Sequence, residues 1–251
     1  MTVPHSATLR IASYNIRKAV GTDRRRDPAR VLGVIADLNA DIVVLQEADR
    51  RLGARPSALP IPEIEPQTGL VPIPVATNKA SLGWHGNSIL VRPALTVTDL
   101  SRFDLPGVEP RGAVIADLVA GQTPLRVIAV HLGLLRASRR LQLSSLIARL
   151  SALDDTPALL AGDLNEWSLR VGLGRMSHHF TIFAPGKSYH ATLPVAALDR
   201  IALDRNLVAR GAGVHDTAAA RRASDHLPIW MDIAIRTETA PVAATDPAQP
   251  S

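Results

Sequence analysis

The segment ALLAGDLNEW, residues 158–167, joins an apolar run directly to an acid and an amide. Residues 158–161 are small or apolar and are predicted to form a buried strand, and Asp163 and Asn165 follow where that strand ends. A turn explains one such polar residue, because Asp and Asn are common turn formers. A functional role is favoured only if other strands of the chain end in the same way.

Four other apolar stretches also adjoin polar residues. Asn15 follows a predicted strand in SYNIRK, Glu47 follows one in VVLQEAD and His131 follows one in VIAVHLG, whereas Asp225 and His226 precede one in ASDHLPIWM. Carboxylates bind a hard cation such as Mg2+ through oxygen. A histidine paired with a carboxylate moves protons or stabilises phosphate charge, and an Asn amide donates a hydrogen bond without adding charge. Together these groups are the ones that metal-assisted phosphodiester cleavage needs.

Composition limits the class of protein. The 251 residues are 46% hydrophobic but only 3% aromatic, so Leu, Val, Ile and Ala are expected to fill the core of one domain over residues 1–236, followed by a disordered tail, 237–251. The absence of cysteine excludes disulfides, thiolate metal sites and a Cys nucleophile. No apolar run approaches the roughly 20 residues of a membrane span. We therefore expect a cytoplasmic, monomeric protein without a transmembrane segment.

The charge of the chain is compatible with phosphate binding without identifying a ligand. The formal net charge is +5, and residues 1–236 carry +7 because the tail holds two acids and no base. Of the 28 basic residues only Lys18, Lys79 and Lys187 are lysines. Arginine forms bidentate contacts with phosphate, but a GC-rich genome explains an arginine-rich chain equally well.

Hydrophobic periodicity predicts a mixture of strands and a few helices. The predicted strands are Leu9–Tyr14, Ile42–Leu45, Asn87–Val91, Ala113–Val119, Leu125–Val130, Ala158–Ala161, Ile201–Leu203 and Ile229–Ile235. One helix is predicted to begin at Asp27–Pro28, and another carries the stripe Leu143, Leu146, Ile147, Leu150 and Leu153. Residues 53–77 hold six prolines and are predicted to be a long irregular loop. This pattern favours two packed sheets with helices outside, and leaves the topology open.

Seven short motifs resemble the endonuclease/exonuclease/phosphatase superfamily, the deoxyribonuclease I-like metal-dependent phosphoesterases. In chain order the motifs are SYNIRK, VLQEAD, HGNSIL, AVHLGL, AGDLNE, LDRIAL and SDHLPI, and the match spans residues 9–235. The resemblance implies an α/β (α+β) four-layer sandwich, in which two central mixed β-sheets are flanked by helices. It also implies that the functional site lies at one edge of the sheets.

The resemblance assigns roles to ten residues. It implies that the catalytic residues are His131, Asp163, Asn165, Asp199 and His226, with His226 oriented by Asp199. It implies that Asn15, Glu47 and Asp225 form the metal site, for Mg2+ with Mn2+ as the alternative ion, and that Arg111 and Asn87 bind substrate. Asp163 and Asn165 are implied to align the attacking water and contact the phosphate, and His131 to act near the leaving group.

The expected function is a metal-dependent phosphodiesterase that cleaves nucleic acid or another phosphodiester with an activated water. The alternatives are an inositol-phosphate or other phosphomonoester phosphatase, a sphingomyelinase-like lipid phosphodiesterase, and a non-catalytic binding protein of the same fold. Abasic-site endonucleases place an acidic metal ligand two residues after the Asn, where this chain has Arg17, so a different branch is indicated. Trp84 and Trp167 are predicted to be packing residues. Arg136, Arg139 and Arg140 are interpreted either as phosphate ligands or as a solvated helix face.

Overall fold

Two six-stranded mixed sheets form the centre of the computed structural model, which describes residues 8–168 and 171–236. The first sheet has the order β11-β12-β1-β2-β4-β3 and consists of β1 (Leu9–Asn15), β2 (Ile42–Gln46), β3 (Val71–Pro72), β4 (Ser88–Val91), β11 (Leu207–Val214) and β12 (Ile229–Ile235). The second has the order β5-β6-β7-β8-β10-β9 and consists of β5 (Leu95–Leu105), β6 (Arg111–Ala120), β7 (Thr123–His131), β8 (Ala158–Asp163), β9 (Thr181–Phe183) and β10 (Asp199–Leu203).

Helices cover the outer face of each sheet. The helices are α1 (Pro28–Asp37), α2 (Ile61–Thr68), α3 (Arg136–Leu150) and α4 (Ala218–Ala223). One apolar cluster fills the space between the sheets, a second joins α1, α2 and α4 to the first sheet, and a third joins α3 to the second sheet. The four-layer sandwich predicted from the sequence is therefore confirmed.

Local sequence explains how α1 begins. The side chain of Asp27 accepts a hydrogen bond of 3.0 Å from the backbone N–H of Arg30, and Pro28 occupies the first helical position, where its missing N–H costs nothing. Val31, Val34 and Ile35 then lie on the buried face of the helix, as their spacing predicts.

The prediction of an irregular loop over residues 53–77 is wrong for residues 61–68, which form α2. Pro62 lies in the first turn of this helix, where a proline is tolerated, and Ile64 is fully buried against the first sheet. Tertiary packing of Ile64 and Leu70 thus outweighs the proline content of the segment. The predicted helical stripe that ends at Leu153 is also too long, because α3 ends at Leu150.

The parallel strand pairs bring the polar strand ends to one edge of the sandwich. In the first sheet β1 and β2 run parallel and pair Asn15 with Gln46, next to Glu47. In the second sheet β7 and β8 run parallel and pair His131 with Asp163, which also lies opposite Asp199 of β10. Because the predicted catalytic residues lie here, we call this edge of the two sheets the catalytic edge.

Within the described residues, no helix has both the length and the apolar character needed to cross a membrane. The predicted tail, 237–251, lies outside the described residues, and the domain boundary at residue 236 stays a prediction.

Candidate active site

Asp163 links the two sheets at the catalytic edge. Its Oδ2 atom accepts a hydrogen bond of 3.0 Å from the Nδ2 atom of Asn15, which belongs to the other sheet. The same oxygen lies 3.5 Å from Nε2 of His131 and 3.7 Å from Nε2 of His226. One buried carboxylate oxygen is therefore surrounded by an amide and two imidazoles.

His226 is held by a carboxylate on its other side. Its Nδ1 atom lies 2.8 Å from Oδ2 of Asp199, and the hydroxyl of Ser188 donates a hydrogen bond to the same oxygen. Because a carboxylate only accepts hydrogen bonds, Nδ1 carries a proton and Nε2 faces Asp163. Asp199 thus fixes both the tautomer and the direction of the imidazole ring.

The two histidines differ in their electrostatic surroundings. Burial opposes protonation of His226, but the carboxylates of Asp199 and Asp163 outweigh burial and raise the pKa of His226 to about 9. For His131 burial dominates over the attraction of Asp163 and lowers the pKa to about 3. The metal-free site therefore holds one charged and one neutral imidazole at neutral pH.

The residues around Asp163 explain the sequence GDLN. A Cβ atom at Gly162 would lie 1.9 Å from the carbonyl oxygen of Val130, so only glycine lets β7 and β8 approach at this point. Asn165 adopts a left-handed φ of 50°, which Asn tolerates better than most residues. Its backbone N–H donates to Oδ1 of Asp163 at 2.9 Å, and its Nδ2 donates to the carbonyl of Leu132 at 2.9 Å. These bonds fix the Asp163 carboxylate.

The predicted metal residues Glu47 and Asp225 lie next to two consecutive bases. Oε2 of Glu47 contacts Nζ of Lys18, and Oδ2 of Asp225 lies 3.3 Å from Nε of Arg17. Oδ1 of Asn15 accepts a hydrogen bond of 3.1 Å from the backbone N–H of Arg17. Both carboxylates are partly exposed, with about a fifth of each side chain open to solvent (18% and 20%).

This donor set fits a hard divalent cation. Glu47, Asp225 and Asn15 offer carboxylate and amide oxygens, the ligands that such cations prefer. A second acidic group, formed by Asp163, Asp199 and His226, has ligand atoms within 4.8 Å of one another. In that group, however, the Nδ1 proton and the Asp199 carboxylate already satisfy each other. The oxygen ligands of Glu47, Asp225 and Asn15 have the right chemistry for such a cation, and their role as the metal site stays a prediction.

A cleft of about 200 Å3 opens beside Glu47 and is lined by Glu47, Arg111, His131 and Leu134, among others. Burial lowers the pKa of Arg111, partly offset by Glu109, whose Oε2 lies 3.8 Å from the Arg111 Nε atom. That distance is too long for a hydrogen bond. The Arg111 guanidinium thus adds positive charge to the wall of the cleft.

Two sequence interpretations, those of Arg139 and Trp167, are modified by the tertiary structure. Arg139 is not available to bind phosphate, because it is buried and its Nη2 atom lies 3.0 Å from Oε2 of Glu166. Trp167 is not a packing residue, since 61% of it is exposed, whereas Trp84 does pack against the central core. Asn87 is fully buried and its Nδ2 donates to the carbonyl of Gly112 at 2.9 Å, so its substrate-binding role stays a prediction.

Several residues near the site carried no sequence signal. Ser188 and Tyr189 belong to a segment without periodicity, and yet Tyr189 lies against His226 with ring centroids 4.9 Å apart. Arg200 is almost fully buried and donates to the backbone carbonyls of Asp199 and Glu166 at 3.1 Å each. Of these three residues only Arg200 lies within a motif, LDRIAL, that could have drawn attention to it.

Two stacked mixed sheets, with buried carboxylates and imidazoles gathered at one edge, define the architecture of a phosphoesterase. The sequence agrees, because residues 12–226 match the profile of the Endonuclease/Exonuclease/phosphatase family. The chain belongs to this family.

Relatives of the chain are found by sequence and by structure. The uncharacterized protein YbhP of Escherichia coli (strain K12) is 32% identical over 162 residues, which cover 60% of this chain and 63% of that protein. The chain thus aligns with less than two thirds of that relative's length.

An endonuclease/exonuclease/phosphatase structure from Beutenbergia cavernae DSM 12333 has a TM-score of 0.70 at 22% identity, covering 91% of this chain and 72% of that chain. The mannosyl-6-phosphatase Bt3783 of Bacteroides thetaiotaomicron VPI-5482 has a TM-score of 0.72 at 17% identity, covering 90% and 100%. At these identities the structural likeness concerns the fold.

Proposed function

We propose that this chain is a divalent-cation-dependent hydrolase of phosphodiesters. The observation that carries the proposal is the convergence of Asp163, His131 and the His226–Asp199 pair at the catalytic edge. Phosphodiester cleavage requires a water that loses its proton, stabilisation of charge on the phosphate, and assistance to the leaving oxygen. These side chains supply a group for each task.

Each group takes the task that its position allows. Asp163 orients the attacking water and accepts its proton, because its Oδ2 atom faces both imidazoles while Asn165 holds its Oδ1 atom. His226, oriented by Asp199, directs Nε2 at the phosphate. His131, on the strand next to Asp163, contacts the leaving oxygen.

The cation and the phosphate occupy the neighbouring side of the cleft in this proposal. Glu47, Asp225 and Asn15 hold the cation, for which Mg2+ is the expected ion and Mn2+ the alternative. A bound divalent cation supplies Lewis-acid polarisation of the phosphate oxygens. Arg111, on the wall of the same cleft as Glu47 and His131, adds a further positive charge toward the phosphate.

The test is hydrolysis of bis-p-nitrophenyl phosphate with Mg2+, with Mn2+ and with EDTA. The expected result is turnover with a divalent ion, none in EDTA, and a loss of at least about a hundredfold in Glu47→Ala. Asp155→Ala is the matched control, because that side chain is 95% exposed and precedes β8 at the end opposite Asp163. Equal turnover in EDTA, or in Glu47→Ala, contradicts the proposal.

The monoester p-nitrophenyl phosphate, assayed in parallel, tests the alternative function. Faster turnover of the monoester than of the diester would favour a phosphatase. A second readout is thermal: Mg2+ is expected to raise the unfolding temperature of the wild-type chain and not that of Glu47→Ala, because a ligand that binds only the folded state stabilises it.

A further inference from the structure

Exposed large apolar side chains are concentrated at the catalytic edge. Among the described residues ten large hydrophobic side chains are exposed, and eight of them lie in loops at this edge. We call these eight the apolar rim: Leu52, Val108, Leu134, Leu135, Trp167, Val171, Leu193 and Val195. The other two, Val97 and Leu141, lie on β5 and α3. An apolar surface that gathers around one site marks an interaction face.

Contacts place one half of the apolar rim beside the cleft. Leu134 lines the cleft together with His131 and is 65% exposed. The backbone N–H of Leu134 donates a hydrogen bond of 3.0 Å to the Glu109 carboxylate. Val108, the residue before Glu109, therefore lies near Leu134. Leu52 follows Arg51, whose Nη2 lies 3.9 Å from Oε1 of Glu47.

The other half of the rim lies beside His226. Trp167 contacts the ring of Tyr189 with centroids 6.0 Å apart, and Tyr189 in turn contacts His226. Leu193 and Val195 belong to the turn that Tyr189 begins, since the N–H of Val195 donates to the Tyr189 carbonyl at 2.7 Å. Leu193 is 73% exposed. The rim therefore flanks the site on two sides.

A cationic groove begins beside the rim at the start of α3 and runs along α3 on the outer side of the second sheet. The groove has a volume of about 800 Å3 and is lined by Arg136, Arg140, Arg175 and His178, over a floor that includes Ile147. No acidic residue is among its lining residues. All three arginines are exposed. The ion pair between Arg139 and Glu166 joins the two segments that form the groove and the rim.

We propose that the apolar rim and the cationic groove dock this protein, catalytic edge first, on an anionic phospholipid bilayer. Leu and Val side chains enter the boundary between headgroups and acyl chains, and Trp prefers that interface. Arginine pairs with lipid phosphates, which are concentrated at an anionic surface. Docking in this orientation delivers a lipid headgroup phosphodiester to the cleft; this last step rests on the proposed function, whereas docking itself does not.

A nucleic-acid backbone fits the rim less well. Nucleic acid is bound through phosphate contacts and through aromatic stacking on bases. The apolar rim contains one aromatic residue, Trp167, and seven aliphatic ones, which gain little from a charged backbone. Aliphatic side chains gain most from an apolar phase, so the bilayer is the favoured partner.

The experiment measures vesicle binding by the full chain in EDTA, without turnover. Sedimentation with vesicles of phosphatidylglycerol and phosphatidylcholine is compared with sedimentation with phosphatidylcholine alone, and binding is expected only to the anionic vesicles. In Leu134→Ser/Leu193→Ser the partition coefficient is expected to fall by roughly tenfold or more, because two side chains no longer enter the interface. Val97→Ser, outside the rim, is the matched control.

Charge and depth of insertion are tested separately. Arg136→Gln/Arg140→Gln is expected to weaken binding to anionic vesicles, and Arg24→Gln/Arg210→Gln, at two exposed arginines that do not line the groove, is expected to leave it unchanged. In a Trp84→Phe/Trp230→Phe variant the emission of Trp167 is expected to shift to shorter wavelength when anionic vesicles are added.

Three results would overturn the docking proposal. The first is that the chain does not sediment with anionic vesicles at low salt. The second is that the Leu134→Ser/Leu193→Ser variant, the rim variant, sediments with them as well as the wild-type chain does. The third is that the wild-type chain and the rim variant both bind duplex DNA tightly and neither binds vesicles, which would identify a nucleic-acid surface. Because binding is measured in EDTA, these results are independent of whether bis-p-nitrophenyl phosphate is hydrolysed.

Discussion

The imidazole of His226 and the carboxylate of Asp199 form a buried pair, with Nδ1 and Oδ2 2.8 Å apart. His226 precedes β12 of the first sheet and Asp199 begins β10 of the second, so the pair exists only when both sheets are stacked. Asn15 and Asp163 join the sheets in the same manner at 3.0 Å. The site is therefore a property of the interface between sheets.

The Asp199 carboxylate is expected to control the titration of His226. In metal-free protein, NMR titration should give His226 a pKa of about 9. Asp199→Asn should lower this pKa, because burial disfavours the charged imidazole and the Asp199 carboxylate no longer opposes that effect. Asp155→Asn, a remote acid, should leave it unchanged. A His226 pKa that is the same in the wild-type chain and in Asp199→Asn would refute this account.

The same pair should make stability depend on pH. Because the folded-state pKa of His226 is raised above the ordinary value of 6.5, its stabilising contribution is complete below pH 6.5 and is lost as the pH rises toward about 9. Urea denaturation of the metal-free chain should therefore show a free energy of unfolding that declines over this range. In His226→Gln the decline should be smaller, and an identical pH profile would argue against the charged pair.

Loss of either member of the pair should reduce turnover without unfolding the chain. His226→Ala and Asp199→Asn are each expected to lower kcat by roughly a hundredfold to ten-thousandfold, the contribution of a positioned acid–base group. Circular dichroism should show an intact fold. His215→Ala is a control, because among the described residues no hydrogen bond or ion pair joins the His215 side chain to Asp163, Asp199 or His226. Near-normal kcat in both variants would remove the pair from the reaction.

The Arg139–Glu166 ion pair should be structural. Both side chains are more than nine-tenths buried, so Arg139→Met leaves an uncompensated carboxylate and should cost about 3 kcal/mol of unfolding free energy. Arg139→Met/Glu166→Leu should recover much of that loss. Arg149→Met, near the exposed end of α3, should change stability by less than about 0.5 kcal/mol. Denaturant midpoints provide the measurement, and equal midpoints for Arg139→Met and Arg149→Met would contradict it.

Gly162 should tolerate no side chain. Gly162→Ala places Cβ 1.9 Å from the Val130 carbonyl oxygen, at a φ of 157°, and should destabilise the chain by about 3 kcal/mol or more. Gly33→Ala in α1, where nothing lies within 4 Å of the added Cβ, should instead stabilise it by about 0.5–1 kcal/mol. Thermal unfolding of the two variants compares them, and a stable Gly162→Ala chain would show that the strands can separate there.

The strands that the sequence failed to predict share one property, their place in the sheets. The strands β5 and β11, with the short β3 and β9, all lie at sheet edges. An edge strand buries fewer side chains, and β5 in particular is exposed over much of its length. Apolar periodicity is therefore weak where the sheet ends, and strong in central strands such as β7 and β8.

The sequence by itself determined the central strands, the capped start of α1, and the order of polar residues at the strand ends, because periodicity and capping are local properties. Only the tertiary structure decided which of those residues meet. Lys18 contacts Glu47, Arg139 turns inward to Glu166, and Trp167 turns outward to the rim. Those outcomes depend on how the two sheets stack and on where their loops lie. The free energy of these contacts comes from burial and from electrostatic attraction between residues that are distant in the chain.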